Sequence, residues 1–294
     1  MKAIIKTMFI AVFVLSAFVL VNALTHNPSV DQKLELISFT INEERAITHL
    51  SQSIEFKTIS NQQASKKNFE EFERFINWLK TNYKLVVKNT SLQTFNETLL
   101  FKWEGQDTSL KPILLTGHYD VVPVIPGTED KWKEPPFSGK VDSEHIWGRG
   151  ALDDKSGVIG ILEAVTYLME TGFQPSRTLY LSFGHDEEIG GVNGAALVTQ
   201  HFSDNGIQLE WSLDEGSFLL GGFIPNVDKL VAAINVAEKG SVTMQVVGKA
   251  QGGHSSMPTT KSAVGYLSKA LARLEDNRMP GRLEGLSLEM FDEM

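Results

Sequence analysis

Three short apolar runs, each ending in an acidic turn, constrain this chain more than any other feature. Ile113-Leu114-Leu115 leads into Gly117-His118-Tyr119-Asp120, Leu179–Phe183 into Gly184-His185-Asp186-Glu187-Glu188, and Leu209–Leu213 into Asp214-Glu215-Gly216. Nearly continuous apolar runs of this length fit strands buried on both faces, as in a parallel or mixed α/β sheet. Between the first two, the spacing predicts a helix. Asp153 or Asp154 can cap it, Val158, Ile161, Leu162, Val165 and Leu168 form its inner face, and Gly172 stops it, with Pro175 beyond. Strand, helix and strand make a crossover unit. Ligands in open α/β sheets gather at the carboxyl ends of strands, where all three turns fall, so the turns are expected to converge.

Convergence has an electrostatic consequence. His118, Asp120, Asp153, Asp154, Asp186, Glu187, Glu188, Asp214 and Glu215 would share one sheet edge, eight carboxylates with one imidazole. Any one acidic strand end is usually solvated. Crowded together, the carboxylates repel unless a cation holds them. The 294 residues include no cysteine, which excludes thiolate metal sites and disulfides and leaves His, Asp and Glu as ligands, a donor set that suits zinc. Two zinc ions roughly 3.5–4 Å apart need a bridging ligand, which an Asp can supply. The neighbours Glu187 and Glu188 allow one carboxylate to bind metal while the other handles protons. A net charge of −9, with no dense Lys/Arg stripe, removes the footprint of a nucleic-acid partner.

Residues 1–23 read as a signal peptide, with Lys2 and Lys6 ahead of the apolar run Met8–Val21 and Val21 and Ala23 at the −3 and −1 positions. The protein is therefore expected to be secreted or to lie in the lumen of the secretory pathway. The alternative is a leader retained as an N-terminal anchor, the one case in which a membrane is a partner. Asn89 (Asn-Thr-Ser) and Asn96 (Asn-Glu-Thr) have the form of glycosylation acceptors. Residues 24–110 read as a mostly helical, polar lead-in, with Phe69, Phe72, Phe75, Ile76 and Leu79 as a core-facing stripe. Near Glu238-Lys239-Gly240 the pattern shifts. Ser241–Val247 alternates like a strand, Gly252–Pro258 reads as a loop and Ser262–Leu274 as a helix, the opening of a smaller α+β domain. His26, His49, His145 and His201 are read as surface or internally satisfied histidines, and no phosphate-binding loop is present.

The segments GHYDVVP (117–123), GRGALDDKSG (148–157), GHDEEIGG (184–191), LDEG (213–216) and GGHSSMP (252–258) carry a resemblance. In order and spacing they are similar to the two-zinc metallopeptidase family that includes aminoacylase-1, carboxypeptidase S, carboxypeptidase G and succinyl-diaminopimelate desuccinylase. Within it the chain most resembles carboxypeptidase S and the secreted N-fatty-acyl-amino-acid synthase/hydrolase. Trp132, Pro135, Pro136, Phe137 and Trp147-Gly148-Arg149-Gly150 add to the likeness. The resemblance implies a mixed, mostly parallel sheet flanked by helices over residues 24–238 and the start of a lid and dimerisation domain over 239–294.

It also implies roles. His118 and Glu188 would bind one zinc, Asp214 the other, and Asp153 would bridge the two. Asp120 would orient the His118 imidazole, Glu187 would be the general base and acid, and His254 would help bind substrate or polarise the scissile carbonyl. Asp153-Asp154 would carry the cis peptide bond found in relatives. His185, inside its motif, would not be a ligand. The implied reaction is hydrolysis of the amide bond of an N-acyl amino acid or short peptide with a free carboxylate, reversible where acid and amine are abundant. A carboxypeptidase or dipeptidase is the alternative within the family, and a non-catalytic secreted binding protein the alternative outside it. Family members return to the catalytic domain and supply a late His to the second zinc. The last His here is His254, so the resemblance implies an incomplete smaller domain, a second metal short of one protein ligand, and a homodimer through that domain.

Overall fold

The computed structural model describes residues 2–25, 39–217, 219–222, 228–236, 240, 242–254, 256–257 and 260–293. His26, the expected division at 238/239, Ser241, Ser255 and Pro258 lie outside them. One compact unit spans Ile37–Gly216, and residues 1–36 and 217–294 are assigned apart from it.

Helix α1 (Lys2–Thr25) precedes the compact unit in sequence, and its Ile5–Thr25 stretch, with mean hydropathy 2.4, is long and apolar enough to cross a membrane. Inside the unit, α2 (Glu43–Ile54) is capped by the Asn42 side chain. Then come α3 (Phe69–Asn82), the short α4 (Lys84–Asn89), β1 (Ser91–Phe95) and β2 (Thr98–Trp103). Strand β3 (Ile113–His118), α5 (Lys155–Glu170), β4 (Leu179–Gly184), α6 (Ala195–Asp204) and β5 (Ser212–Leu213) complete it.

The sheet runs β1-β2-β4-β3-β5. Strand β3 lies parallel to both β4 and β5, so the predicted crossover through α5 is present and three acidic turns leave the same edge. Helix α5 starts where its cap was expected: the Asp154 side chain accepts the N–H of Gly157 at 3.0 Å. It ends at Gly172, whose φ of +76° is open to glycine at no steric cost. The third run is shorter than its sequence suggests, since only Ser212–Leu213 form strand, against Leu114–Leu115.

Among its described residues the lead-in is helical only in part. Residues 91–103 form an antiparallel hairpin, turned at Asn96 (φ +52°), and β2 pairs antiparallel with β4. Strand β2 sits between β1 and β4, and its Leu99, Leu100 and Phe101 are almost wholly buried. Helix α3 closes one face of the sheet with Phe72, Phe75 and Leu79, as its spacing predicts, each worth about 1.5–3 kcal/mol when buried. The Phe75 ring stacks on Tyr119, centroids 4.5 Å apart, and so brings that core up against the first acidic turn. On the other face Val198 and Phe202 of α6 pack on Leu100 and Tyr180.

Beyond Gly216, β6 (Leu219–Leu220) pairs with β7 (Val231–Ala232), followed by the expected helix, α7 (Ala263–Asp276), which Ser262 caps, and by α8 (Leu286–Glu293). The strand expected at 241–247 does not form among the described residues. Val242, Met244 and Val247 are exposed, and alternation yields a strand only where a neighbour pairs with it.

Candidate metal centre

His118 is the last residue of β3, and its side chain is buried. A side chain at Gly117 would meet Asp154 Oδ2 at 2.6 Å, so the turn can approach α5 closely only with glycine there. The His118 Nδ1 faces the backbone oxygen of Asp120 at 3.0 Å and its carboxylate at 3.4 Å. Its Nε2 points the other way, 3.0 Å from Asp153 Oδ1 and 3.7 Å from both Glu187 Oε2 and Glu215 Oε1. A ring nitrogen held by a carboxylate, with the other directed into acidic space, is the arrangement of a metal-ligating histidine.

Asp120 is fully buried and does more than face the imidazole. Its Oδ1 accepts the backbone N–H of Glu187 at 3.1 Å and its Oδ2 that of Glu188 at 3.2 Å. One carboxylate therefore fixes His118 and the Glu187-Glu188 pair relative to each other. Asp153 and Asp154 are joined by a cis peptide bond. Their side chains have different tasks. Asp153 is largely exposed toward His118, whereas buried Asp154 accepts the N–H groups of Gly157 and of His118, the latter at 3.3 Å. Burial pushes the Asp154 carboxyl up to about 7.

The remaining acids crowd the same edge. Partial burial, with the charges of Asp120, Asp153 and Asp214, raises the Glu187 carboxyl. Partial burial, then the charge of Asp153, raises Glu188, and Glu215 is raised in the same way. Among the described residues, no Lys or Arg pairs with Asp153, Glu187, Glu188 or Glu215; the adjacent Lys155 turns inward, its Nζ donating to the carbonyls of Ser53 and Phe56 at 2.7 Å each. His118, Asp153 and Glu188 bring donor atoms within 4.8 Å of one another, and so do His118, Glu187 and Glu215. Uncompensated negative charge around one imidazole fits a divalent cation, and hard oxygen with borderline nitrogen donors suits zinc.

Asp214 stands outside both groups, with its Oδ1 accepting the N–H of Glu215 at 2.9 Å, and Glu215 takes the nearer position. Sequence reasoning counted Glu215 among the acids of this edge and gave it no role; the run Asp214-Glu215 does not reveal which carboxylate turns inward. His254 lies in the segment assigned apart from this unit, exposed, its Nδ1 2.8 Å from Ser256 Oγ. The buried His185 uses both ring nitrogens, Nδ1 with Thr98 Oγ1 at 2.6 Å and Nε2 with Glu97 Oε2 at 3.1 Å. Glu97 and Thr98 lie at the tip of the β1–β2 hairpin, so that hairpin supports the turn after β4 from behind. His49 is also satisfied internally, its Nδ1 at 2.7 Å from Glu163 and 2.9 Å from the Tyr83 hydroxyl. Asn89 and Asn96 are both exposed, and the Asn96 Nδ2 donates to Asn193 O at 2.8 Å.

Known proteins share this sequence pattern. The model of peptidase family M20/M25/M40 matches residues 114–282. "Probable carboxypeptidase S-like 2" of Dictyostelium discoideum is 39% identical over 99% of this chain and 57% of its own length. The N-fatty-acyl-amino acid synthase/hydrolase PM20D1 of Xenopus tropicalis is 42% identical over 66% of this chain and 38% of its own. Carboxypeptidase S of Saccharomyces cerevisiae is 38% identical over 71% of this chain and 37% of its own. The chain thus spans between 37% and 57% of the length of these three curated relatives.

Proposed function

The chain belongs to peptidase family M20/M25/M40, and from that membership and the acids gathered on His118 we propose a zinc-dependent amidohydrolase that cleaves N-acyl amino acids or short peptides bearing a free carboxylate. The observation that carries this reading is the position of His118 Nε2, 3.0 Å from Asp153 and 3.7 Å from Glu187 and Glu215. His118, Asp153 and Glu188 would hold one ion, and a second would fall to Asp153 with the Asp214-Glu215 turn, of which Glu215 stands nearer to His118. Bound there, zinc lowers the pKa of water toward 7 and polarises a carbonyl oxygen.

The chain's own residues do the rest. Glu187 accepts the proton of the attacking water on its carboxylate as the new C–O bond forms, and the raised affinity of that carboxyl for protons suits a base working near neutrality. As the C–N bond breaks, Glu187 passes the same proton to the leaving amine nitrogen. Asp120 holds Glu187 and the His118 ring in register throughout, and His254 is assigned to the carbonyl oxygen of the substrate. Run backward, the same steps condense acid and amine. Helix α1 is apolar enough to serve as a signal sequence, the reading under which the protein would be secreted or luminal with the exposed Asn89 and Asn96 open to glycosylation; a homodimer is proposed from the family resemblance alone.

The test uses protein purified from cells secreting the product of its own gene, assayed with zinc on a panel of N-acyl amino acids and dipeptides. Hydrolysis of at least one substrate, lost on removal of metal and in Glu187→Gln, is the expected result. A zinc-loaded protein that turns over none of them, or a Glu187→Gln variant with unchanged turnover, overturns the reading.

A further inference from the structure

The end of the sheet opposite the metal centre carries a cavity that the hydrolytic chemistry does not use. It lies where α4, the end of β2 and the end of α5 meet, has a volume of about 280 Å³, and is walled by Leu85, Trp103, Met169 and Phe173. Roughly 300 Å³ is the lower end of the range for small-molecule sites, so there is room for one sugar-sized ring and not for a long chain. Two aromatic rings make its apolar corner: Trp103 and Phe173 meet edge to face, with centroids 6.1 Å apart. Phe173 follows Gly172, the stop of α5, and keeps 45% of its surface exposed. Trp103 is only 4% exposed, and its indole N–H has no acceptor among the described residues. Unlike Ser60 Oγ or Asp186 Oδ1, that N–H is not sealed from the space around it. A buried indole N–H ordinarily finds a partner.

One further wall residue is Asn89, the acceptor of the triplet Asn89-Thr90-Ser91. Asn89 ends α4 and is exposed, and its Nδ2 donates to Leu85 O at 2.7 Å. Leu85 lines the same cavity, so the nitrogen that would carry a sugar is held at its mouth. An N-linked sugar replaces one hydrogen of Nδ2, and the other can keep this bond. Glu104 and Gln174 complete the wall with groups that can bond sugar hydroxyls. Asn96 has no such seat. Its Nδ2 donates to Asn193 O, and the cavity beside it is lined by Lys67, Glu97, His185 and Asp186. The aromatic wall there, Phe69, is already covered by Lys67 Nζ at 4.8 Å.

We propose that Asn89 carries an N-linked glycan whose first N-acetylglucosamine sits in this cavity, its apolar face on Phe173 and its acetamido oxygen accepting the Trp103 indole N–H. The proposal rests on the secretory reading for the supply of the sugar. There the donor is a lipid-diphosphate oligosaccharide. The bond from sugar C1 to the diphosphate oxygen breaks, the C1–Nδ2 bond forms, and one amide proton is released along with the diphosphate leaving group. The seated ring covers Phe173 and joins α4, β2 and α5. Trp103 pairs with Leu179, whereas the acidic turn follows Gly184, five residues or about 17 Å further along β4, so the glycan leaves the metal centre open.

The experiment uses the secreted protein made with high-mannose glycans. Glycopeptide mass spectrometry reads occupancy, and timed release by peptide N-glycosidase from native and denatured samples reads how far each linkage is shielded. Asn89 should be occupied, and its glycan should leave the native wild type about tenfold more slowly than native Phe173→Ala. Phe173→Tyr keeps a ring and should keep the slow release. After denaturation all three should release at one rate. Endoglycosidase trimming to a single N-acetylglucosamine should leave Tm where it was, whereas full removal should lower it in the wild type and not in Phe173→Ala. A near-ultraviolet circular dichroism spectrum of Phe173→Ala like that of the wild type shows that the variant is folded. Equal release rates from native wild type and Phe173→Ala, or a bare Asn89 in the secreted protein, overturns the proposal. A bare Asn89 beside a glycosylated Asn96 leaves the secretory reading standing. A protein retained in the cytosol with both asparagines bare removes the two together.

Discussion

The carboxylate of Asp120 accepts the backbone N–H of Glu187, tying the turn after β3 to the turn after β4 at 3.1 Å. A second bond from the same carboxylate reaches Glu188 at 3.2 Å. The imidazole that faces the acids and the carboxylate proposed to move protons are therefore parts of one hydrogen-bonded unit, and their separation does not depend on side-chain rotamers alone.

Replacing Asp120 by Asn turns one acceptor into a donor and sets it against a backbone N–H. Metal affinity should fall about 10–100-fold, as for loss of other groups that orient ligands. Competition with a chromophoric chelator measures this. Affinity equal to wild type would remove Asp120 from the support of the centre.

Glu187 and Glu188 should separate by function. Glu187→Gln is expected to retain metal and lose about 10²–10⁴-fold in turnover, the usual contribution of a general base. Glu188→Gln is expected to lose metal. Metal content by mass spectrometry beside kcat distinguishes the two, and the opposite pattern would exchange their roles.

Metal binding should release a proton from His118. Burial alone would lower this imidazolium, but the hydrogen bond and charge of Asp120, with the charges of Glu187 and Asp154, outweigh it and carry the group up to about 10. In the metal-free protein this raised value stabilises the fold fully below the unfolded pKa of about 6.5, and the contribution disappears as pH rises through about 10. A ligating histidine must be neutral, so binding near pH 7.5 displaces about one proton and tightens as pH rises. Calorimetry in buffers of different ionisation enthalpy counts that proton. A count near zero would show that His118 is neutral beforehand.

Lys155 is a structural tether. Its buried ammonium donates to Ser53 O and Phe56 O, both at 2.7 Å, and joins the start of α5 to the end of α2. Lys155→Met preserves length and leaves two carbonyls without their donor, each costing about 1–3 kcal/mol if it stays buried. A clear fall in Tm with unchanged zinc stoichiometry is expected. An unaltered Tm would mean that water replaces the ammonium.

Much of this arrangement was legible before any coordinates. The three apolar runs, the capped helix α5 and the gathering of His118, Asp153, Glu187 and Glu188 follow from period and turn chemistry, because parallel strands must deliver their ends to one edge. The hairpin at 91–103 was hidden: Asn96 and Thr98 read as a glycosylation signal, and Leu99-Leu100-Phe101 is too short to declare itself against helices on its N-terminal side. The inward turn of Glu215 instead of Asp214 depends on backbone torsion that two adjacent acids do not encode. At 242–247, alternation promised a strand, but pairing is a property of two segments and one segment alone cannot supply it.

The order of strands carries a consequence for biogenesis. Because β3 is flanked by β4 on one side and β5 on the other, the acidic edge closes only after Leu213 has been synthesised. The group proposed for one ion, His118, Asp153 and Glu188, precedes that point in the chain, whereas Asp214 and Glu215 follow it, so a first ion could be captured before the last strand is made and a second only afterwards.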